Sequence, residues 1–328
     1  MKRVLTFGEA MLRLSPPGHE RLERASSFEA RTGGAELNVA AGLARLDVAA
    51  SFLTALPDSP LGRLAASDVR RAGVDDSLII WRTDGRMGIY FVEFGASPRP
   101  SQVVYDRAGS SLSLLGPADI EWPVLLEGFD HFHTTGITAA LGPVCLELVR
   151  GGLEAAKGRG LSTSFDLNYR ARLWSGAAAR ESLTPVMGNV DHLITTEEDT
   201  LKVFGISGDS FEEVAGELLG RFGFASVAIT LREDVSVLRN RWTAIAWDGG
   251  STYTDRTYDI EIIDRVGAGD AFAAGYIYGV LSSDIDLGLR VGNAMAAIKH
   301  SIPGDMICCD REEVLALARG EGETRIRR

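Results

Sequence analysis

Cysteine is scarce, with three in 328 residues, at Cys145, Cys308 and Cys309. Their spacing fits neither a disulfide framework nor a CxxC metal or redox motif, so buried or incidental thiols are expected. Long apolar runs are missing too. No uncharged stretch approaches the roughly 18 residues of a membrane span, and VLTF at 4–7 meets Glu9 before the apolar centre of a secretory leader could form. The expectation is a cytoplasmic chain with no membrane partner. Positive charge is in deficit, since 34 Lys and Arg stand against 45 Asp and Glu, a formal net charge of −11. Nonspecific nucleic-acid binding neutralises phosphates with clustered Lys and Arg, so nucleic acid is not an expected partner. Any anionic ligand has to be held by local donors. His131 and His133 share a strand face by period two, but no third ligand stands at a metal-site spacing, which favours strand packing over a metal pair.

Fixed-period repeats, low-complexity tracts and polar linkers are also absent, so a single domain over residues 1–328 is expected. Hydrophobic residues make up 45% of the chain, enough for a packed core. Short apolar runs at 4–7, 50–56, 131–137, 161–167, 191–196 and 226–231 read as strands, separated by longer segments that include helical patterns at 36–46, 143–160 and 286–302. This alternation predicts βαβ units, hence an α/β fold: a doubly wound, mainly parallel sheet with helices on both faces. Two stretches break the pattern, residues 13–30 and 88–110, the second with β-rich runs around a Pro-containing turn. They are expected to form a small β-strand lid inserted in the one domain.

Residues 264–272 read DRVGAGDAF. Gly267, Ala268 and Gly269 let the backbone approach a ligand closely, and a helix starting there aims unpaired N–H groups and its positive dipole end at an anion. Asp270 on the first turn could then accept the proton of a hydroxyl that attacks a phosphoryl group. An ordinary helix start, with Asp favoured by the dipole, accounts for the same residues. TGGAELNVAAG at 32–42 is a second glycine pair leading into a helix. Gly33 and Gly34 would let substrate hydroxyls reach backbone N–H groups, and Asn38 adds a side-chain donor. A plain loop-to-helix start stays open there as well.

Together, GGAELN and DRVGAGDAFAAG resemble the two signatures of the ribokinase-like (PfkB) sugar kinases, and the resemblance runs along essentially the whole chain. It implies transfer of the ATP γ-phosphoryl group to a sugar hydroxyl with Mg²⁺. GEAMLRLSPPG (8–18), residues 88–110, DLNYRARLW (166–174) and KHSIPGD (299–305) resemble the 2-keto-3-deoxygluconate kinases within that family. Carried over by position, the resemblance puts Gly34, Tyr90, Tyr105, Arg107 and Arg170 around a sugar acid, with Asp305 as a further substrate residue and Asp270 as base. It gives the nucleotide Asn168, Thr230, Leu231, Arg232, the Gly267–Gly269 loop and Asn293, the last near the adenine. Arg107 and Arg170 suit a carboxylate, which the planar guanidinium binds bidentately.

The chain departs from the family pattern where many relatives carry Asn-x-x-Glu. The matching TTEEDT gives Thr196 and Asp199, which retain oxygen ligands for a hydrated cation and make Asp199 the metal candidate. Arg265 and Val266 stand where Thr-Thr is common. The expected activity is therefore phosphorylation of 2-keto-3-deoxy-D-gluconate at its terminal hydroxyl. Fructose or another neutral sugar is the alternative substrate, and a catalytically silent sugar-binding regulator the alternative role. A dinucleotide oxidoreductase would need a GxGxxG early in the chain, and GAGDAF lies late without that spacing. Exposed lid edges favour a homo-oligomer, a dimer first.

Overall fold

The computed structural model describes residues 2–321. The strands are β1 (Arg3–Phe7), β2 (Met11–Ser15), β3 (Glu29–Gly33), β4 (Ala49–Pro57), β5 (Ile79–Arg82), β6 (Gly88–Glu93) and β7 (Gln102–Asp106). They continue with β8 (His131–Thr135), β9 (Ser162–Asp166), β10 (His192–Thr195), β11 (Ser226–Ser236), β12 (Arg239–Trp247), β13 (Thr252–Thr254) and β14 (Tyr258–Glu261). Ten form one sheet, in which β11-β10-β9-β8-β1-β4-β5 are parallel throughout. Central parallel strands are buried along nearly their whole length, as strands covered on both faces must be: Val4–Phe7 as an apolar run, and His131–Thr135 with its polar side chains hydrogen-bonded. An antiparallel extension, β12 with β13 and β14, closes the β11 side.

Helices cover both faces, as the alternation of apolar runs predicts. On one face Ala35–Arg45, Ala268–Leu281 and Ile285–His300 pack with Leu37, Phe272 and Met295 in the core. On the other, Pro143–Gly158 and Phe211–Phe222 pack over Phe132, Phe165 and Leu193. The helix Ala268–Leu281 is almost uniformly apolar because it is sandwiched by its neighbours. There Gly275 and Gly279 face Gly292 and Gly288 so closely that a Cβ on Gly279 would lie 2.2 Å from the Gly288 backbone. Among the described residues no helix is long and apolar enough to cross a membrane.

A second sheet has the order β3-β2-β6-β7, with β2 and β6 parallel and the outer pairs antiparallel. Residues 88–110 supply β6 and β7. Residues 13–30 supply only the end of β2 and the start of β3, whose pairing runs outward to Met11 and Gly33. The register sets Arg13, Tyr90 and Tyr105 on the face toward the large sheet and Leu14, Phe91 and Val104 on the outer face.

Candidate active site

Parallel strands leave their loops at one edge, and ligands bind where the strand order reverses. Here it reverses at β1, which is flanked by β4 on one side and β8 on the other. A cleft of about 1080 Å³ opens at the carboxyl ends of the strands and reaches Tyr90 and Tyr105 of the four-stranded sheet.

Its floor is the loop before helix Ala268–Leu281. Gly267 has φ 84°, and a Cβ there would sit 2.0 Å from the Asp305 carbonyl oxygen, so both conformation and space require glycine. A Cβ on Gly269 would meet nothing within 4 Å, which leaves open room above the first-turn amides. Asp270 follows, 9% exposed, its Oδ2 accepting from Asn38 Nδ2 at 2.7 Å. Burial pushes its carboxyl up to about 6, opposed by the Asn38 hydrogen bond and the Arg170 charge.

The sugar-acid candidates gather on one side of this floor. Gly34 precedes helix Ala35–Arg45, and a Cβ there would lie 2.1 Å from the Glu9 carbonyl oxygen. Gly33 does not line the cleft; it leaves space for its neighbours, since its Cβ would come within 2.7 Å of the Asp305 carboxylate and the Tyr90 hydroxyl. Tyr90 is buried and donates to Asp305. Its ring stacks on Tyr105, centroids 5.8 Å apart, and the Arg107 guanidinium lies 5.6 Å from the Tyr105 ring. Arg107 is not a free cation, because its guanidinium is paired with the buried Glu9 carboxylate. Arg170 is exposed, and its one hydrogen bond goes to the Tyr169 carbonyl oxygen at 3.4 Å.

On the other side lie the nucleotide candidates. Thr230, Leu231 and Arg232 line the cleft just past Ile229, where β11 ends its pairing with β10. Asn168 sits at φ 38°, a costly conformation for a non-glycine residue, and donates its N–H to Asp166 Oδ1 at 3.1 Å and its side-chain amide to Asp166 Oδ2 at 3.3 Å. Asn293 is fully buried and does not line the cleft; its amide donates to Asp255 Oδ2 at 2.8 Å and to the Arg256 carbonyl at 2.9 Å.

Thr196 caps helix Glu197–Phe204, its hydroxyl accepting from Asp199 N at 3.0 Å. Asp199 accepts from Tyr169 N at 3.2 Å, and burial raises its carboxyl. Asp166 is held well above the usual carboxylate range by burial and by the charges of Asp270 and Asp199. Among the described residues no group of three or more His, Cys, Asp or Glu could enclose a metal ion. The donor set, two largely buried carboxyls with no ion-pair partner among the described residues, instead fits a hydrated cation held at one remove through water.

Glu9, Arg13, Glu36, Asp166 and Lys299 all reach or support the site and were missed by motif matching. Glu36 is fully buried; its Oε1 accepts from Thr135 N, Thr135 Oγ1 and Thr138 Oγ1 at 3.1, 2.8 and 2.7 Å, and burial lifts it to about 7. Glu9, Arg13 and Glu36 did carry a signal: each is a charge embedded in an apolar stretch, GEAMLRLS or GGAELNVA, where burial demands partners. His131 and His133 are buried in the sheet, where His131 Nε2 and His133 Nδ1 both meet Ser164 Oγ, at 2.7 and 2.8 Å.

The model of the pfkB family carbohydrate kinases matches residues 1–311. The chain belongs to this family. As a carbohydrate kinase it is 37% identical over 318 residues to the 2-dehydro-3-deoxygalactonokinase of Haloferax volcanii, covering 97% of this chain and 96% of that one. It superposes on the crystal structure of 2-dehydro-3-deoxygluconokinase from Thermotoga maritima with a TM-score of 0.94 at 44% identity, covering 97% and 98% of the two chains. A PfkB family carbohydrate kinase from Listeria grayi follows with a TM-score of 0.92 at 31% identity, covering 97% and 100%.

Proposed function

We propose that this kinase transfers the γ-phosphoryl group of ATP to the terminal hydroxyl of 2-keto-3-deoxygluconate, giving the 6-phosphate. The observation that carries the reading is the meeting, in one cleft, of a buried carboxylate, an amide-lined loop and two arginines. The sugar oxygen attacks the γ-phosphorus, its proton goes to Asp270, and the bond to the departing ADP oxygen breaks. The Gly267–Gly269 amides receive the charge that spreads over the transferring group. Arg170, exposed and without a carboxylate partner, supplies the main attraction for the substrate carboxylate, with Arg107 lining the same cleft. Tyr90 and Tyr105 cover the carbon chain, Gly34 and Asn38 offer donors to hydroxyls, and Asp305 accepts from one. Asn168, Thr230, Leu231 and Arg232 border the nucleotide. A Mg²⁺ ion carried by ATP would neutralise phosphate charge, with Asp199 and Asp166 holding it through water.

Names among the relatives differ between the gluconate and galactonate epimers, which share the keto acid end that the arginines read. ADP release by the purified protein with ATP and Mg²⁺ tests the reading against both epimers, fructose and no sugar. Turnover of the keto-deoxy acids and its loss in Asp270→Ala support it; faster turnover of fructose overturns the arginine assignment.

In this reading residues 1–328 act as one domain, and the four-stranded sheet is its lid. Val104 on the outer face of that sheet and Phe28, packed on Phe91 beside it, stand 42% and 41% exposed, the reason to expect a second copy against it. A monomer by light scattering at micromolar concentration would exclude the dimer.

A further inference from the structure

Arg13 lies on β2 of the four-stranded sheet, yet its side chain is only 3% exposed and leaves that sheet to enter the join between the two halves of the cleft. Its Nη2 stands 2.7 Å from Asp264 Oδ2, its Nη1 donates to Asp305 Oδ1 at 2.6 Å, and its Nε donates to Ser15 Oγ at 3.0 Å. None of the chemistry proposed above uses it. A buried ion network of this kind contributes little net stability against an apolar replacement, so its role is better sought in what it holds in place.

The two carboxylates serve different halves. Asp264 accepts from Val266 N at 3.0 Å, directly before the glycine loop, and from Gly304 N at 2.9 Å. Asp305 accepts from Tyr90, the aromatic residue that faces the sugar side. Lys299, fully buried, donates to the carbonyl oxygens of Asp264 at 3.2 Å and Ile302 at 3.0 Å, and so ties the same two segments from below. A continuous set of charge-assisted contacts thus runs from Tyr90 through Asp305, Arg13 and Asp264 to the Val266 amide.

We propose that Arg13 is a positioning residue that couples the sugar half of the cleft to the phosphate half. A sugar acid settled against Tyr90 and Asp305 fixes the guanidinium, and the guanidinium, through Asp264, fixes the segment that presents the Gly267–Gly269 amides. Each ligand then finds the site of the other already ordered. The inference rests on the proposed function for the identity of the sugar ligand, and on the hydrogen bonds alone for the connection.

The test compares wild type with Arg13→Gln and Arg13→Lys; lysine keeps the charge but not the fork that spans two carboxylates. Calorimetry measures binding of a non-hydrolysable ATP analogue with Mg²⁺, with and without saturating 2-keto-3-deoxygluconate. Wild type is expected to bind the analogue at least about fivefold tighter with the sugar acid, and the variants with a ratio near one, while each ligand alone still binds. A wild-type ratio near one, or an undiminished ratio in either folded variant, overturns the proposal. Amide exchange without ligand is the second arm. Val266 and Gly304 should exchange at least about tenfold faster in the variants, with the core helices unchanged; unchanged exchange at those two amides also overturns it. Should wild type bind no sugar acid at all, the substrate reading fails, and the exchange arm still decides the Arg13 connection. Should Arg13→Gln fail to fold, Arg13→Lys carries both arms.

Discussion

A base must be deprotonated to take a proton, so an Asp270 carboxyl raised by burial to about 6 sets a limit on the acid side. We expect kcat/KM to rise with pH through about 6 and level off above it. Asp270→Asn should abolish turnover, and an acid limb below pH 5 would show that the proton goes elsewhere. The two arginines should part company under substitution. Removing Arg107 leaves the buried Glu9 carboxylate unpaired, so Arg107→Ala should lose about 3 kcal/mol of stability in urea unfolding as well as affinity. Arg170 is exposed and bonds only to a backbone carbonyl, so Arg170→Ala should raise KM for the sugar acid and leave the urea midpoint nearly unchanged. Equal stability losses in the two variants would contradict this. What could be read from the residues alone followed the same division. Asp270, its glycines and Arg107 lie in compact local motifs. Glu9 matters through Arg107, 98 positions away, Asp264 through Gly304, 40 away, and Arg13 through Asp305, 292 away; a single sequence does not display such pairings.

Among the elements, the helix pair Ala268–Leu281 and Ile285–His300 places Asp270, and it is held by glycine against glycine. A Cβ on Gly275 would fall 2.4 Å from Gly292 N, so Gly275→Ala should destabilise the fold by about 1–3 kcal/mol, read as a lower urea midpoint. An unchanged midpoint would mean that the helices can separate freely, against the packing described. Strand–helix alternation was legible because several parallel strands are nearly pure apolar runs, as in Val4–Phe7 and Val227–Ile229, and the buried β8 and β9 keep an aromatic centre in Phe132 and Phe165. The ladder β12–β14 was not. Its buried positions alternate with Arg239, Arg241 and other exposed residues, and this half-polar pattern resembles a loop until its partner strand is known.

At the scale of the molecule, buried ionisable groups push stability in two directions. Burial lowers His133 to about 3 and His192 and His300 to about 4, and lowers His131 well below its usual value. Their folded pKa values lie below the unfolded 6.5, so the unfolded chain binds more protons and stability is lost as pH falls below 6.5. Glu36 at about 7, Asp270 at about 6 and the raised Asp166 act oppositely, since the folded chain takes up protons first and gains stability as pH falls toward 4.5. The urea midpoint should therefore change little between about pH 6.5 and 5 and fall below about 4, where the gain from Glu36, Asp270 and Asp166 has ended and the loss at His131 and His133 continues. A steep fall starting at pH 6.5 would mean that the carboxylates are not buried as described. Overall architecture was the most legible level, because alternation of apolar runs constrains topology strongly. The meeting of Arg13 with Asp264 and Asp305 across two sheets was the least.

The cleft has a floor fixed in the core and a roof built from a different sheet, and that division bears on fidelity. Water is a competing acceptor for the same phosphoryl group, present at far higher concentration than any sugar, and only its exclusion protects the nucleotide. Asp270, on a helix packed into the core, cannot by itself tell one hydroxyl from another. The ratio of ADP formed to sugar phosphorylated is thus set by β2, β3, β6 and β7, and changes on the outer face of that sheet, far from any reacting atom, would show first as wasted ATP.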